Sequence, residues 1–384
     1  MRSTPSVLAA LFIGLLALTT PTPIQHVIVV VQNGRTFNNL FNGFPNGNTT
    51  TTGLTSLSIG SGQDPDHTHS GFVTAWDNGA QDGWPSNSKH YGPTDEAGYF
   101  SLAETYGTSV NTVQAGEGPA GPDHQVLIAG QEGSPAALID LGSTNNYTCG
   151  VSATLSAVDM TTSFPGTSTT VTGCFTYKTI LDEIETAGGT WNYYCSTDTT
   201  VWCAPFLISG IWNTPARKAH VIQPETTFLT DVAAGTLASL TYISPSFANS
   251  DAGGHTSSAT SGRVWVTSIV NAVQATKFWG STAIIVVWAD WGGWYDNVCA
   301  GPSSSLGSLF SGIPNPYHYG CRVPMLVISP FAHPNYVDTT RRSTASILTF
   351  IEAVFNLPSL GTLDAYEPDA LMPFFDWSRN RNWL

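Results

Sequence analysis

The chain has 384 residues, of which 41% are hydrophobic and 10% are charged. The charged fraction is far below the average of about 25% for soluble domains. A formal net charge of −14 argues against nucleic acid as a partner, because there is no surplus of Lys and Arg to neutralise phosphates, and it disfavours docking to anionic membranes. This composition predicts a secreted protein with one large domain, or one domain with a lobe.

The N-terminus has the pattern of a secretory signal. Arg2 precedes an apolar run over residues 7–18, which is too short to span a membrane, and small and polar residues follow. No second apolar run of spanning length occurs. We predict a signal peptide over residues 1–23, a domain over residues 24–384 and a secreted or periplasmic location. A retained N-terminal anchor is the alternative, because the cleavage site is poorly marked.

Export would allow disulfide bonds among the six cysteines. Three bonds can form in fifteen ways, and we expect cysteines that are neighbours in sequence to pair. The expected pairs are Cys149 with Cys174, Cys195 with Cys203, and Cys299 with Cys321. None has the CxxC spacing of a zinc–thiolate site, so such a site is not expected.

Apolar runs of strand length alternate with segments of helical periodicity along the chain. Strands are predicted at residues 26–31, 191–194, 240–243, 283–288 and 323–329, and helices at 100–112, 175–187, 228–240, 263–279 and 346–355. This alternation favours an α/β sandwich around a mostly parallel sheet. Long insertions rich in Gly, Ser and Thr are predicted as loops at residues 46–66, 134–172 (with marginal strands) and 300–320.

One segment combines a buried strand with two carboxylates. In AIIVVWADWGGWYDNV, residues 283–298, Asp290 stands at the C-terminal end of the strand, Gly292 and Gly293 permit a tight turn, and Asp296 follows. Open α/β sheets place their chemistry at this position. The two carboxylates could bind a divalent cation or act as an acid–base pair, and they could equally be caps of the turn.

Histidines lie on several predicted loops. In an extended segment His67 and His69 would share one face and could bind a metal ion or an oxyanion; the alternative is two solvated loop histidines. His124 is predicted on an irregular Gly-Pro turn, and Asp251 and His255 on a flexible loop.

Four segments occur in the order HVIVVVQNGRTFNNLFNGFP, GPAGPDHQVLIAG, AIIVVWADWGGWYDNV and CRVPMLVISPFAHPNYVDTTRRSTASILTFIEAVFNLPSLGTLDA. Together they resemble the bacterial phosphoesterase family of phosphocholine-type phospholipases C and acid phosphatases. The resemblance extends from His26 to about Trp377. It implies an alkaline-phosphatase-like three-layer α/β sandwich with a mostly parallel central sheet. It also implies hydrolysis of phosphate esters by a Ser or Thr nucleophile beside a metal ion.

The chain departs from this family at the positions that carry the chemistry. The family's first loop reads QENRSFD with Glu and Asn as metal ligands, and the matching residues here are Asn33 and Gly34. The family's Ser or Thr nucleophile is matched by Ala120, which cannot attack phosphorus. The family's third motif has two adjacent acidic residues. The matching residues here are Ala289 and Asp290, so one of the two carboxylates is missing.

The remaining polar residues define the predicted site. Two functions are open: hydrolysis of a phosphate ester or phospholipid headgroup with weak or altered activity, and an inactive protein that binds a ligand or a partner. One divalent metal ion is the possible cofactor, unless it has been lost with its ligands. The predicted catalytic residues are His124, His255, Asp251 and Asp290, the metal ligands Asn33, Asp290, His67 and His69, and the substrate-binding residues Arg35, Tyr295 and Asp296.

Overall fold

A computed structural model describes most of the chain. The described residues are 22–56, 64–84, 89–133, 137–140, 147–150, 154–159, 164–197, 201–252, 259–301 and 318–379. The predicted signal over residues 1–23 lies almost wholly outside these ranges. Within them, no helix is long and apolar enough to cross a membrane.

Ten α-helices and fifteen strands are assigned in the described residues. The helices are α1 Phe37–Leu40, α2 His69–Trp76, α3 Ala97–Thr105, α4 Ala120–Ala129, α5 Ile180–Thr186, α6 Ser209–Trp212, α7 Pro215–Lys218, α8 Thr227–Ala233, α9 Ala259–Gln274 and α10 Ser346–Phe355. The strands are β1 His26–Gln32, β2 Thr55–Ser56, β3 Lys89–His90, β4 Gly107–Ser109, β5 Thr112–Val113, β6 Ala137–Ile139, β7 Thr154–Asp159, β8 Thr167–Thr172, β9 Trp191–Tyr194, β10 Val221–Ile222, β11 Leu240–Ile243, β12 Thr282–Trp288, β13 Met325–Ile328, β14 Tyr336–Asp338 and β15 Arg342–Ser343.

The central sheet has eight strands in the order β10-β9-β11-β1-β12-β13-β4-β14. All neighbours are parallel except the two pairs that β13 makes with β12 and β4. Strands β1 and β12 lie at its centre and are fully buried apart from His26. Their carboxyl ends meet, because Gln32 pairs with Trp288 in a parallel register.

The side chains of β1 alternate between two hydrophobic cores. Val27, Val29 and Val31 pack with helices α4, α5 and α10 on one face of the sheet. Ile28 and Val30 pack with α3, α8 and α9 on the other face. This arrangement confirms the predicted three-layer α/β sandwich with a mostly parallel central sheet.

Most of the predicted elements are confirmed, with shifted ends. The strands at residues 191–194 and 240–243 and the helix at 346–355 have the predicted bounds. The helix predicted at 100–112 is wrong in its second half, since α3 ends at Thr105 and Gly107 begins strand β4. The insertion at 134–172 contains a three-stranded antiparallel sheet, β6-β7-β8.

All three predicted disulfide pairs are confirmed. Cys149 is bonded to Cys174, Cys195 to Cys203, and Cys299 to Cys321. The described cysteines include none that is free. The Cys299–Cys321 bond holds the segment after Asp296 against the segment that leads into β13.

Candidate functional site

The loops after β1 and β12 interlock at the carboxyl edge of the sheet. The Asp290 carboxylate accepts hydrogen bonds from the backbone N–H of Gly34, at 2.6 Å, and of Gly292, at 3.0 Å. The Arg35 N–H donates to the Asp290 carbonyl oxygen at 3.1 Å. Both oxygens of the carboxylate therefore accept backbone hydrogen bonds. One bond closes an Asx turn at Gly292, and the other joins this turn to the loop after β1 at Gly34.

The interlock requires glycine at two positions. Gly34 has φ +72°, and a Cβ atom there would lie 2.8 Å from Ala252 Cα. Gly292 has φ +63°, and its Cβ would lie 2.2 Å from the Gly34 carbonyl oxygen. A side chain such as the Asn of the family motif cannot be added at Gly34 unless the neighbouring backbone moves.

His67 lies beside this turn. Its segment packs over the turn at Gly293, where a Cβ would lie 2.7 Å from the Asp66 carbonyl oxygen. Burial lowers the pKa of His67, but Asp290, the Pro65 carbonyl, Asp64 and Asp66 together outweigh it, so the pKa is raised. The protonated imidazole is thus favoured here, and it offers a positive charge at the carboxyl edge of the sheet.

Asp290 itself is almost completely buried. Desolvation raises the pKa of its carboxyl group, although His67 and the Gly34 and Gly292 N–H groups oppose that effect. Asp290 and His67 were predicted as metal ligands, and they lie near enough for their charges to interact. Their charges stabilise one another, which makes His67 less available as a neutral metal ligand.

Ala120 begins helix α4. The preceding Pro119 is the N-cap residue and provides no side-chain hydrogen bond to the first turn. His124, which was predicted on a turn, is buried inside this helix; the prediction was wrong because Gly and Pro are tolerated in a first helical turn. The His124 Nε2–H donates to Asn33 Oδ1 at 2.8 Å.

His124 is held neutral by its surroundings. Burial lowers its pKa to about 3, and its ring stacks on Trp202 with the ring centres 6.3 Å apart. Since Nε2 carries the proton donated to Asn33, Nδ1 is unprotonated, and it has no hydrogen-bond partner among the described residues. The Asn33 Nδ2 donor is likewise buried without a described acceptor.

Gln114 links three parts of the site, and no sequence motif pointed to it. Its Nε2 donates to the Gly118 carbonyl oxygen at 2.8 Å and to Asp123 Oδ2 at 2.6 Å. Its Oε1 accepts from the Trp291 N–H at 3.0 Å. Gln114 therefore fixes the start of α4 relative to the glycine turn that follows Asp290.

Asp296 and Tyr295 have different surroundings. The Asp296 carboxylate is buried, accepts the Asn38 and Val298 N–H groups, and forms an ion pair with Arg322 at 2.8 Å. Tyr295 is partly exposed and packs edge-on against Trp84. The substrate-binding role predicted for both stays a prediction, and the contacts of Asp296 are those of a structural anchor.

Arg35 and Asp251 belong to a buried network on the far side of the β1 loop. The Arg35 guanidinium lies over the Trp294 ring, 4.6 Å from its centre, and Nε donates to the Asp251 carbonyl oxygen. The Asp251 carboxylate accepts from Tyr99 and Trp288, and burial raises its pKa to about 7. These contacts keep Arg35 away from solvent, so its geometry does not favour the predicted substrate contact.

Glu96 in the same network gives a testable pH dependence. It is fully buried, neither carboxylate oxygen has a described hydrogen bond, and burial raises its pKa from 4.5 to about 8. Its contribution to stability is thus complete below pH 4.5 and is lost as the pH rises through about 8. Glu96→Gln should unfold like the parent at pH 4 and be more stable at pH 9, by roughly 2 kcal/mol or more. Urea unfolding at both pH values checks this, and equal or lower stability of the variant at pH 9 would contradict it.

His69 faces a different partner from His67. Helix α2 begins at His69, so the segment is not extended and the two imidazoles do not act as one pair; this prediction was wrong. His69 Nε2 donates to the Pro165 carbonyl oxygen, and Nδ1 lies 3.6 Å from Glu117 Oε2. His318 Nδ1 lies 3.8 Å from the same oxygen. Glu117 and His318 are far from His69 in sequence, and no local motif indicated this cluster.

The predicted metal ligands do not form a metal site in this geometry. Asn33 Oδ1 is engaged by His124, both Asp290 oxygens accept backbone N–H groups, and Gly34 has no side chain. Over the described ranges, no three or more His, Cys, Asp or Glu side chains are grouped so that they could hold a metal ion. His255, predicted as catalytic, lies outside the described residues. The donors that the structure describes thus do not fit a divalent cation.

Sequence comparison adds an independent finding. The model of the Phosphoesterase family matches residues 24–358. A non-hemolytic phospholipase C of Burkholderia pseudomallei is 30% identical over 111 residues, covering 25% of this chain and 16% of that protein. Non-specific phospholipase C3 of Arabidopsis thaliana is 30% identical over 131 residues, covering 27% of this chain and 24% of that protein. The chain thus matches less than a third of the length of these relatives.

A solved structure gives a weaker similarity. A protein of the alkaline phosphatase superfamily from Vibrio parahaemolyticus aligns with a TM-score of 0.42 and 9% identity, covering 91% of this chain and 72% of that one. These values lie below those of a close structural match. The assignment to a family therefore depends on the sequence match over residues 24–358.

Proposed function

The chain belongs to the phosphoesterase family, and from this premise we propose that it is a secreted member that binds a phosphate ester without hydrolysing it through a covalent intermediate. One observation carries the proposal. At the start of α4 the nucleophile position is Ala120, and the neighbouring polar atoms are engaged with one another, His124 with Asn33. Covalent phosphoryl transfer needs an activated nucleophile and cations that offset the charge on the phosphoryl oxygens.

The same edge of the sheet retains features that favour an anion. The carboxylates around His67 outweigh its burial and raise its pKa, α4 has no side-chain cap at its N-terminus, and the buried Asn33 Nδ2 donor has no acceptor among the described residues. A helix N-terminus and a cation together attract phosphate groups. The substrate class is taken from the family, and the phospholipase C activity named for the relatives supports a phosphate ester or a phospholipid headgroup. The three disulfide bonds support export.

A second function is hydrolysis by direct attack of water. It is favoured by one observation, the electrostatic interaction of His67 with Asp290, since a histidine and a carboxylate near each other could orient a water molecule. The raised pKa of His67 opposes this function, because a protonated imidazole cannot accept the proton that an attacking water releases.

Anion binding should depend on the protonation of His67. Dimethyl phosphate carries one negative charge at all pH values used, so any change in its affinity reports on the protein. We expect its affinity to be highest below pH 6.5 and to fall as the pH rises through the raised pKa of His67. His67→Gln should lower the affinity at pH 6 by about tenfold and abolish the pH dependence. Calorimetric titration of both proteins checks this. A parent protein that shows no binding at pH 6, or the same pH profile in the variant, would contradict the proposal.

A further inference from the structure

Gln114 is fully buried between the start of α4 and the turn that follows Asp290. Its Nε2 group donates to the Gly118 carbonyl oxygen at 2.8 Å and to Asp123 Oδ2 at 2.6 Å, and its Oε1 accepts from the Trp291 N–H at 3.0 Å. The amide cannot be turned over, because the Gly118 carbonyl oxygen can only accept and the Trp291 N–H can only donate. One side chain thus joins two segments of the site through both of its donors and its acceptor.

The backbone of Gln114 is anchored as well. Its N–H donates to the Cys321 carbonyl oxygen at 2.9 Å, and its carbonyl oxygen accepts from the Gly320 N–H at 3.0 Å. Cys321 is in turn bonded to Cys299. The side chain therefore projects from a segment that is paired with a cross-linked one, and its hydrogen bonds place α4 and the glycine turn relative to the same support.

Glutamine suits this position because its amide offers two donors and an acceptor and carries no charge. An ionised glutamate would have no hydrogen to donate to Gly118 or Asp123, and lysine and arginine would have no acceptor for the Trp291 N–H. Burial raises the pKa of Asp123 well above its ordinary value, although the Gln114 hydrogen bond opposes the shift. The neutral form of Asp123 is thus favoured, so the positive end of α4 is not offset by a charge in its own first turn.

We propose that Gln114 is the positioning residue of the anion site, an inference that rests on the function proposed above. The site has two halves, with the N-terminus of α4 on one side and His67, near Asp290, on the other. Because Trp291 directly follows Asp290, the Gln114 amide sets where α4 begins relative to the turn beside His67. An anion bound at α4 then lies in the field of the His67 imidazole, and the pH dependence of binding follows from that placement.

Gln114→Met tests the proposal, because methionine nearly matches glutamine in length but has no donor and only a weak acceptor. Gln125→Met is the matched control: Gln125 is also buried, but its amide bonds to the Ala204 carbonyl oxygen and the Tyr177 hydroxyl. Calorimetric titration with dimethyl phosphate from pH 6 to pH 9 measures the affinity of each protein. We expect Gln114→Met to bind about tenfold more weakly than the parent at pH 6 and to lose the pH dependence, and Gln125→Met to bind as the parent does.

The outcomes separate this proposal from the proposed function. A parent protein that binds no dimethyl phosphate at pH 6 would contradict the proposed function and, with it, the role of Gln114. A parent that binds with the expected pH profile, together with a Gln114→Met variant of the same affinity and profile, would overturn the role of Gln114 alone. An equal loss of affinity in Gln125→Met would do the same, because it would assign the loss to the stability of α4.

Should Gln114→Met fail to fold, amide hydrogen exchange of the parent decides. The Trp291 N–H exchanges only when its bond to Gln114 opens, and an anion that contacts both halves of the site makes this opening rarer. Saturating dimethyl phosphate should therefore slow the exchange of the Trp291 N–H. An unchanged rate in a parent that binds dimethyl phosphate would overturn the role of Gln114.

Discussion

Replacement of Arg322 by methionine is expected to lower the free energy of unfolding by about 3–5 kcal/mol. The guanidinium is buried, and its nitrogens donate to Asp296 Oδ1 at 2.8 Å, to the Gly47, Val110 and Asn48 carbonyl oxygens and to Asn297 Oδ1. Its removal leaves the Asp296 carboxylate buried without a counter-charge, and it leaves three other acceptors without this donor, since the Asn48 carbonyl oxygen also accepts from Asn297 Nδ2. Denaturant unfolding at pH 7 measures the loss.

Two further variants separate charge from geometry at Arg322. Arg322→Lys keeps the charge but lacks the planar fork, so it should lose much of the same stability. The double variant Arg322→Met with Asp296→Asn should be more stable than Arg322→Met alone, because it removes the unpaired charge. A loss below about 1 kcal/mol for Arg322→Met would show that the buried ion pair is not the anchor described here.

Replacement of Asp290 by alanine is expected to cost about 2–5 kcal/mol, since two buried N–H groups, those of Gly34 and Gly292, lose their acceptor. Burial raises the pKa of Asp290 and so reduces the net contribution of its ionised form to stability. Asp64→Asn is the matched control, because Asp64 also lies near His67 but its side chain is 45% exposed. Thermal unfolding of the three proteins measures the difference. A change below about 1 kcal/mol for Asp290→Ala would contradict the interlocked turn.

The strand pattern could be predicted because it is dominated by burial. Strands β1, β11 and β12 are buried on both faces. Their continuous apolar runs are the pattern that predicts such a strand. The antiparallel direction of β13 could not be predicted, since an apolar run buried on both faces reads the same in either direction.

Helix α4 was missed because of its glycines and prolines. Gly121 and Pro122 occupy its first turn, where a missing N–H costs nothing, whereas the sequence pattern indicated a turn. Contacts of the site that depend on α4 could not be predicted for the same reason. Asp290 and His67 could be placed near each other from their loops, but the contact of His124 with Asn33 depends on α4, and that of Glu117 with His318 depends on the packing of distant segments.

We propose that the site binds a phosphate ester and leaves it intact. The most direct test incubates the full chain with a phosphomonoester and a phosphodiester, each with Mg²⁺, Mn²⁺, Zn²⁺ or Ca²⁺, at pH 6 and pH 8, and measures product against protein-free reactions. We predict no product above that background under conditions where dimethyl phosphate binds. Metal-dependent turnover by the parent chain, reduced in His67→Gln, would contradict the claim and establish a hydrolase that works without a side-chain nucleophile at position 120.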